Sequence, residues 1–119
     1  MTYQKRIGDI GERIAAEYLE EKGYLILVHN YRTRFGEIDL ITQNGDDLVF
    51  VEVKTRTNTV FGLPEVSVTP AKLEKIESAA LLWLQDHPDI RDNWRIDVVA
   101  IILNKEKEVV DIQHFINAL

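Results

Sequence analysis

Residues 36–54 read GEIDLITQNGDDLVFVEVK, and their pattern decides what the rest of the chain has to be. Two runs rich in Val, Ile, Leu and Phe flank Asn44-Gly45-Asp46-Asp47, a strong turn signal between two β-strands. Both runs carry charges where a core strand should have none. Asp39 lies among Ile38, Leu40 and Ile41, and Glu52 and Lys54 interrupt the apolar run from Leu48. A charge in such surroundings is costly unless it is paired, solvated or bound to a metal. A loop of two or four residues places Asp39 and Glu52 on one side of the hairpin, with Glu37 and Lys54 beside them. A four-residue loop, 44–47, sets Asp39 directly opposite Glu52, with Cβ atoms about 4.5–5.5 Å apart. The other side then carries Ile38, Leu40, Val49, Val51 and Val53, a set that a one-residue slip would mix with charges. Carboxylates that close repel unless one takes up a proton or a cation sits between them. Oxygen donors of this kind suit Mg²⁺ or Mn²⁺, which accept one or two carboxylates and keep several waters.

The chain around this hairpin has 119 residues, a length that fits one domain with its own hydrophobic core spanning 1–119. Its composition, 45% hydrophobic and 29% charged, is that of a soluble globular protein. The absence of cysteine excludes disulfides and thiolate metal sites and is compatible with a reducing, cytoplasmic setting. No apolar run is long enough for a membrane span or for a secretory leader, so no membrane partner is expected. The net charge of −6 argues against a protein that coats nucleic acid non-specifically. A local basic rim remains open to it, since Arg32, Arg34, Lys54, Arg56 and Lys72 gather around the hairpin in sequence.

Residues 4–22 carry Ile7, Ile10, Ile14, Tyr18 and Leu19 at helical spacing, and Gly23 supplies a stop. Gly8, Gly11, Ala15 and Ala16 form a small-residue stripe suited to close approach to a sheet. Glu12, beside it, reads either as a solvated glutamate or as a third carboxylate leaning toward Asp39 and Glu52. Residues 24–31 (YLILVHNY) read as a well-buried first strand. His29 at its end is a candidate ligand or an ordinary hydrogen-bonded residue. Residues 55–69 are polar and punctuated by Gly62 and Pro64. Phe61 is the one aromatic side chain there, either an anchor for the loop or a contact to a substrate base. Thr69-Pro70 starts a second helix that reaches about residue 86, with Ile76, Ala79, Ala80, Leu82, Trp83 and Leu84 as its buried side. Lys72 in its first turn opposes the helix dipole, which makes sense beside an acidic site or an anion. Strands at 95–103 and 108–116 complete the order αβββαββ. That order implies an α/β fold, a mixed five-stranded sheet flanked by helices.

These residues carry a resemblance. GxxGExxAAxYL from Gly8, GYxILxxNYRxRxGEIDLI from Gly23, LVFVEVKTR from Leu48, FGLPEVSVTPAK ending at Lys72 and RIDVVAI from Arg95 resemble the YraN-like uncharacterised bacterial proteins. That family is similar to archaeal Holliday-junction resolvases and lies within the restriction-endonuclease-like superfamily, whose signature is PD-(D/E)xK. Ile38 stands where the signature has proline. The resemblance implies that Asp39, Glu52 and the Val53 carbonyl hold Mg²⁺ or Mn²⁺, and that Lys54 orients the attacking water. It makes Glu12 an auxiliary acid in the catalytic set and Lys72 a phosphate contact, with Arg34 and Arg56 as further nucleic-acid contacts.

The implied activity is metal-dependent endonuclease hydrolysis of phosphodiester bonds. The implied partner is DNA, with branched, structured or single-stranded forms as candidates, and a homodimer for two-fold cutting. The alternative is a non-catalytic module that binds nucleic acid or protein on a nuclease fold. A third reading makes Asp39, Glu52 and Lys54 a structural ion-pair network.

Overall fold

A computed structural model of the chain describes residues 2–57, 68–90 and 93–119. Phe61 and most of the polar connection around it lie outside the described residues. The element order is α1 (Tyr3–Glu21), β1 (Leu25–Arg32), β2 (Glu37–Asn44), β3 (Asp47–Arg56), α2 (Pro70–Asp86), β4 (Asn93–Leu103) and β5 (Val109–Phe115). The strands form one mixed sheet in the order β1-β2-β3-β4-β5. Neighbours run antiparallel except β3 and β4, which are parallel. That parallel pair requires a crossover, and α2 lies in it, as the alternation of strand and helix patterns foretells.

The two helices close separate cores. Under α1, Leu40, Val49, Val51, Val99 and Ile101 pack against Ile7, Ala15 and Leu19. Under α2, Ile41, Leu48, Phe50 and Ile96 pack against Ile76, Ala79, Ala80 and Trp83. Leu82 and Leu84, expected in that second core, are only partly buried. Local chemistry sets the helix ends. Thr2 Oγ1 accepts from Lys5 N at 3.1 Å, and Gly23 adopts φ +93° beyond the last turn. Gly23 N donates to Glu20 O and Tyr24 N to Leu19 O, both at 3.0 Å, a Schellman closure that satisfies the last carbonyls. Of the small-residue stripe, Gly11 is what permits contact, because a Cβ there would overlap the Thr55 side chain on β3. Gly8 has open space before it.

The hairpin has the expected register with a shorter turn. Leu40 pairs with Val51, Gln43 with Leu48 and Asn44 with Asp47, leaving Gly45 and Asp46 as a two-residue loop. Gly45 takes φ +61°, the positive value such turns require. Two expectations are corrected. The first strand is not well buried: β1 is the edge of the sheet, and Leu25 is 60% exposed. An apolar run reads the same at an edge as in the centre. Ile38 does not share a face with Leu40 but packs under α2 with Ile41.

Alternation breaks at one place to allow this. Asn30 takes φ +53° in the middle of β1, and β1 pairs with β2 through His29–Leu40 and Tyr31–Ile38, with Asn30 and Asp39 between. Val28 and Tyr31, an odd number of residues apart, both pack under α2, as do Ile38 and Ile41. Both strands therefore change face at Asn30 and Asp39. Asparagine tolerates the left-handed region far better than a β-branched residue would.

Candidate functional site

Asp39 sits where the sheet parts. The β2–β3 ladder ends at Leu40–Val51. One step beyond, Val53 N donates to Asp39 Oδ2 at 2.7 Å, a side-chain bond in place of a backbone rung. The same register carried forward puts Asp39 across from Glu52, close enough for the two carboxylates to repel each other. The Asp39 carboxyl also hydrogen-bonds Glu12 on α1, a contact that requires a proton between the two acids. Burial, then that bond to Glu12, pushes Asp39 up to about 7, against the opposing pull of the Val53 N–H. Glu12 is thus the third carboxylate of the group and not a solvated surface residue.

Glu52 is almost fully buried, and burial followed by repulsion from Asp39 raises its pKa. Its principal partner is Lys72, whose Nζ lies 2.7 Å from Glu52 Oε1. The start of α2 fixes Lys72 there. Thr69 Oγ1 accepts from Lys72 N at 3.2 Å, and Pro70 occupies the first helical position. Burial alone would lower the Lys72 pKa, but the Glu52 carboxylate outweighs it and the net direction is up. Lys54, partly buried on β3, is pushed down by burial and then by the neighbouring Lys72 ammonium. An amine held below its usual range releases a proton more readily than a free lysine does.

The group therefore comprises Asp39, Glu52, Lys54, Glu12 and Lys72, with Val53 contributing a backbone N–H. Arg34 and Arg56 are not part of it; both are exposed, Arg34 in the β1–β2 turn and Arg56 at the end of β3. The turn does lie against α2, since a Cβ on Gly36 would meet Lys75 O at 3.1 Å. The start of β2, the end of β3 and the start of α2 thus bring Arg34, Lys54, Arg56 and Lys72 to one end of the molecule. His29 is exposed and lines a shallow groove of about 460 Å³ between α1 and β1 with Asp9, Glu12, Arg13, Glu17 and Asn30.

A divalent cation is consistent with this donor set. Two desolvated carboxylates face each other, one shares a proton with a third acid and the other is paired with an ammonium. Those are the positive charges a divalent ion would replace. Among the described residues no three His, Asp or Glu side chains form a ready-made cage. Mg²⁺, which takes one or two carboxylates and keeps its waters, does not need one.

A second buried acid lies on β4 and escaped reading from sequence. Asp97 is fully buried and bonds Arg95 Nε at 3.0 Å, His114 Nε2 at 2.8 Å and Asn117 N at 2.9 Å. Arg95 continues to Asp47 Oδ2 at 2.9 Å and to the Tyr24 hydroxyl at 3.0 Å. The signal for it was the one that flagged Asp39, an aspartate inside an apolar strand. Every buried side-chain polar atom among the described residues has a partner.

The fold and this cluster define a class: a three-layered α/β domain with acids and lysines gathered where two central strands separate. Residues 11–101 match the model of the uncharacterised protein family UPF0102, and the chain belongs to that family. It is 46% identical over 114 residues to a UPF0102 protein of Syntrophomonas wolfei, covering 96% of this chain and 97% of that one. It is 50% identical over 106 residues to a UPF0102 protein of Syntrophus aciditrophicus, covering 89% of this chain and 84% of the relative. A UPF0102 protein of Dictyoglomus thermophilum is 39% identical over 114 residues, with 96% and 97% covered. No described helix is long and apolar enough to cross a membrane.

Proposed function

We propose that this protein is a metal-dependent phosphodiesterase that cuts DNA. The observation carrying the reading is the convergence of Asp39 and Glu52, from adjacent strands, with Lys54 beside them at the parted end of the sheet. In this reading Asp39, Glu52 and the Val53 carbonyl hold Mg²⁺ or Mn²⁺. When bound, the ion neutralises charge on the scissile phosphate and acidifies a coordinated water. Val53 N–H fixes one oxygen of Asp39, which leaves the other for the ion. Asp39, its carboxyl raised to about 7 by burial and by Glu12 beside it, gives up its proton as the site loads. Lys54 orients the attacking water and offsets charge that develops on the phosphate. Arg34, Arg56 and Lys72 are positioned to meet the DNA backbone at the same end. Cutting a two-fold symmetric junction would take two copies of the chain.

The test is incubation of purified protein with Mg²⁺ or Mn²⁺ and labelled four-way junction, flap, duplex and single-stranded DNA. Metal-dependent cleavage that disappears in Asp39→Asn and Glu52→Gln supports the assignment; cleavage that survives both sinks it.

A second reading, a binding module without turnover, is favoured by one observation: Lys72 already satisfies Glu52, the acid a metal would need. Under that reading the same DNAs shift in a gel, with or without divalent cation, and none is cut.

A further inference from the structure

We infer that Lys72 is a built-in counter-ion that competes with the divalent cation for Glu52, so that loading the site means exchanging an ammonium for a metal. The inference rests on the metal-binding reading above and adds a control to it. Its basis is the contact between Lys72 Nζ and Glu52 Oε1 at 2.7 Å, in which the side chains are 43% and 5% exposed. The more exposed ammonium thus holds Oε1 of a buried carboxylate. Among the described residues Glu52 has no comparable second partner, since the amine of Lys54 acts on it only through space. An ammonium and a divalent cation cannot both sit against one carboxylate oxygen at contact distance, because like charges repel strongly in a partly desolvated site.

Lys72 is also placed to leave. Its backbone is pinned in the first turn of α2 by the Thr69 cap, so only side-chain rotations separate the paired and released positions. Being at a helix start, the ammonium is opposed by the dipole. What chiefly keeps it there is Glu52, with lesser contributions from Lys54 and Asp39. A cation that takes over Glu52 removes that hold and frees Lys72 toward the basic end of the molecule. The pair also explains why a lysine stands at a helical position where an acid would be expected.

The experiment is titration calorimetry of the full chain with Mn²⁺, comparing the unaltered protein with Lys72→Met, Lys72→Arg and Asp39→Asn. If the ion pair is made about nine-tenths of the time, Lys72→Met binds Mn²⁺ about tenfold more tightly, because apparent affinity scales with the competent fraction. Lys72→Arg restores the weaker binding. A second readout needs no calorimetric signal. In chelator Lys72→Met melts below the unaltered protein, and saturating Mn²⁺ raises its melting temperature by the larger increment. Lys72→Met that binds Mn²⁺ with equal or lower affinity overturns the inference. If in that case the unaltered protein binds and Asp39→Asn does not, the metal reading stands and only the exchange is wrong. If no form binds Mn²⁺, both fall together.

Discussion

Asp39 and Asp97 are both aspartates set in apolar strands of one sheet, and their surroundings are opposites. Asp97 meets a guanidinium, an imidazole and a backbone N–H, each within 3.0 Å. Burial alone would raise its pKa, but His114 and Arg95 outweigh that and hold it below the usual carboxylate range. Asp39 meets one backbone N–H and three other acids, Glu12, Glu37 and Glu52, and it rises to about 7. The first arrangement is matched and closed. The second is mismatched and partly open, and it lowers its energy only when something positive arrives. A buried charge in a strand is therefore not a functional signal by itself; the signs of its neighbours decide.

The contrast can be broken most severely at the matched end. Asp97→Ala leaves Arg95 and His114 without their shared acceptor. Breaking a buried pair costs about 3–5 kcal/mol, so the thermal midpoint should fall by roughly 10 °C or more. Asp39→Asn should do the reverse to stability at pH 7.5, leaving the urea midpoint unchanged or higher. The same substitution should cut metal-dependent cleavage about 100-fold or more, the upper end of what even outer-shell changes remove at metal sites. A midpoint that drops as far in Asp39→Asn as in Asp97→Ala would make the two acids equivalent and end the distinction.

Gly11→Ala sharpens the comparison from the helix side. The added methyl meets Thr55, and overpacking of this kind costs about 1–3 kcal/mol. Because Glu12 is the next residue, Mn²⁺ affinity should weaken along with stability, which calorimetry and melting read separately.

The pH profile separates the two acids by slope. Asp39 has a folded pKa raised to about 7, so the folded state binds more protons than the unfolded one between about 4 and 7. Over that window its contribution to stability falls as pH rises. Asp97 has a depressed pKa, so its contribution is full above about 4 and is lost on further acidification. Urea midpoints of the metal-free protein at pH 4.5 and 7.5 should show a decline that Asn at position 39 flattens. The smallest effect is expected at Asn30. Replacement by Ala costs about 1–2 kcal/mol for the left-handed conformation, whereas Gly is nearly neutral. An alanine variant as stable as the parent would show that the strand can change face without that conformation.

Most of this architecture was legible because the signals were local. The helix periods, the Thr69-Pro70 start, the Gly23 stop and the Asn44–Asp47 turn each depend on neighbours in sequence, and the register followed from the apolar pattern. Edge and centre were not legible, since YLILVHNY has the same composition whichever side lacks a neighbour. The change of face at Asn30 and Asp39 was hidden because a period-2 reading assumes that alternation continues. Of the site, Asp39, Glu52 and Lys54 stood out as charges in apolar strands. Lys72, a cation at a helix start, pointed to a nearby acid or anion; that the acid is Glu52 did not show, because it depends on how α2 folds back over the sheet across a connection of more than a dozen residues. Asp97 carried the same signal as Asp39. Its partners His114 and Asn117 are too distant in sequence to show that it was already neutralised, and nothing local shows that the Arg95 side chain turns toward it.

Thr55 follows Lys54 directly on β3, and the bare backbone of Gly11 rests on it. The first helix thus touches the sheet one residue from the amine and, one residue along its own axis, delivers Glu12 to Asp39. The separation of helix and strand at that point acts as a gauge for the whole cluster. Any bulk added there lengthens the gap between acids contributed by different layers, with no change to the acids themselves.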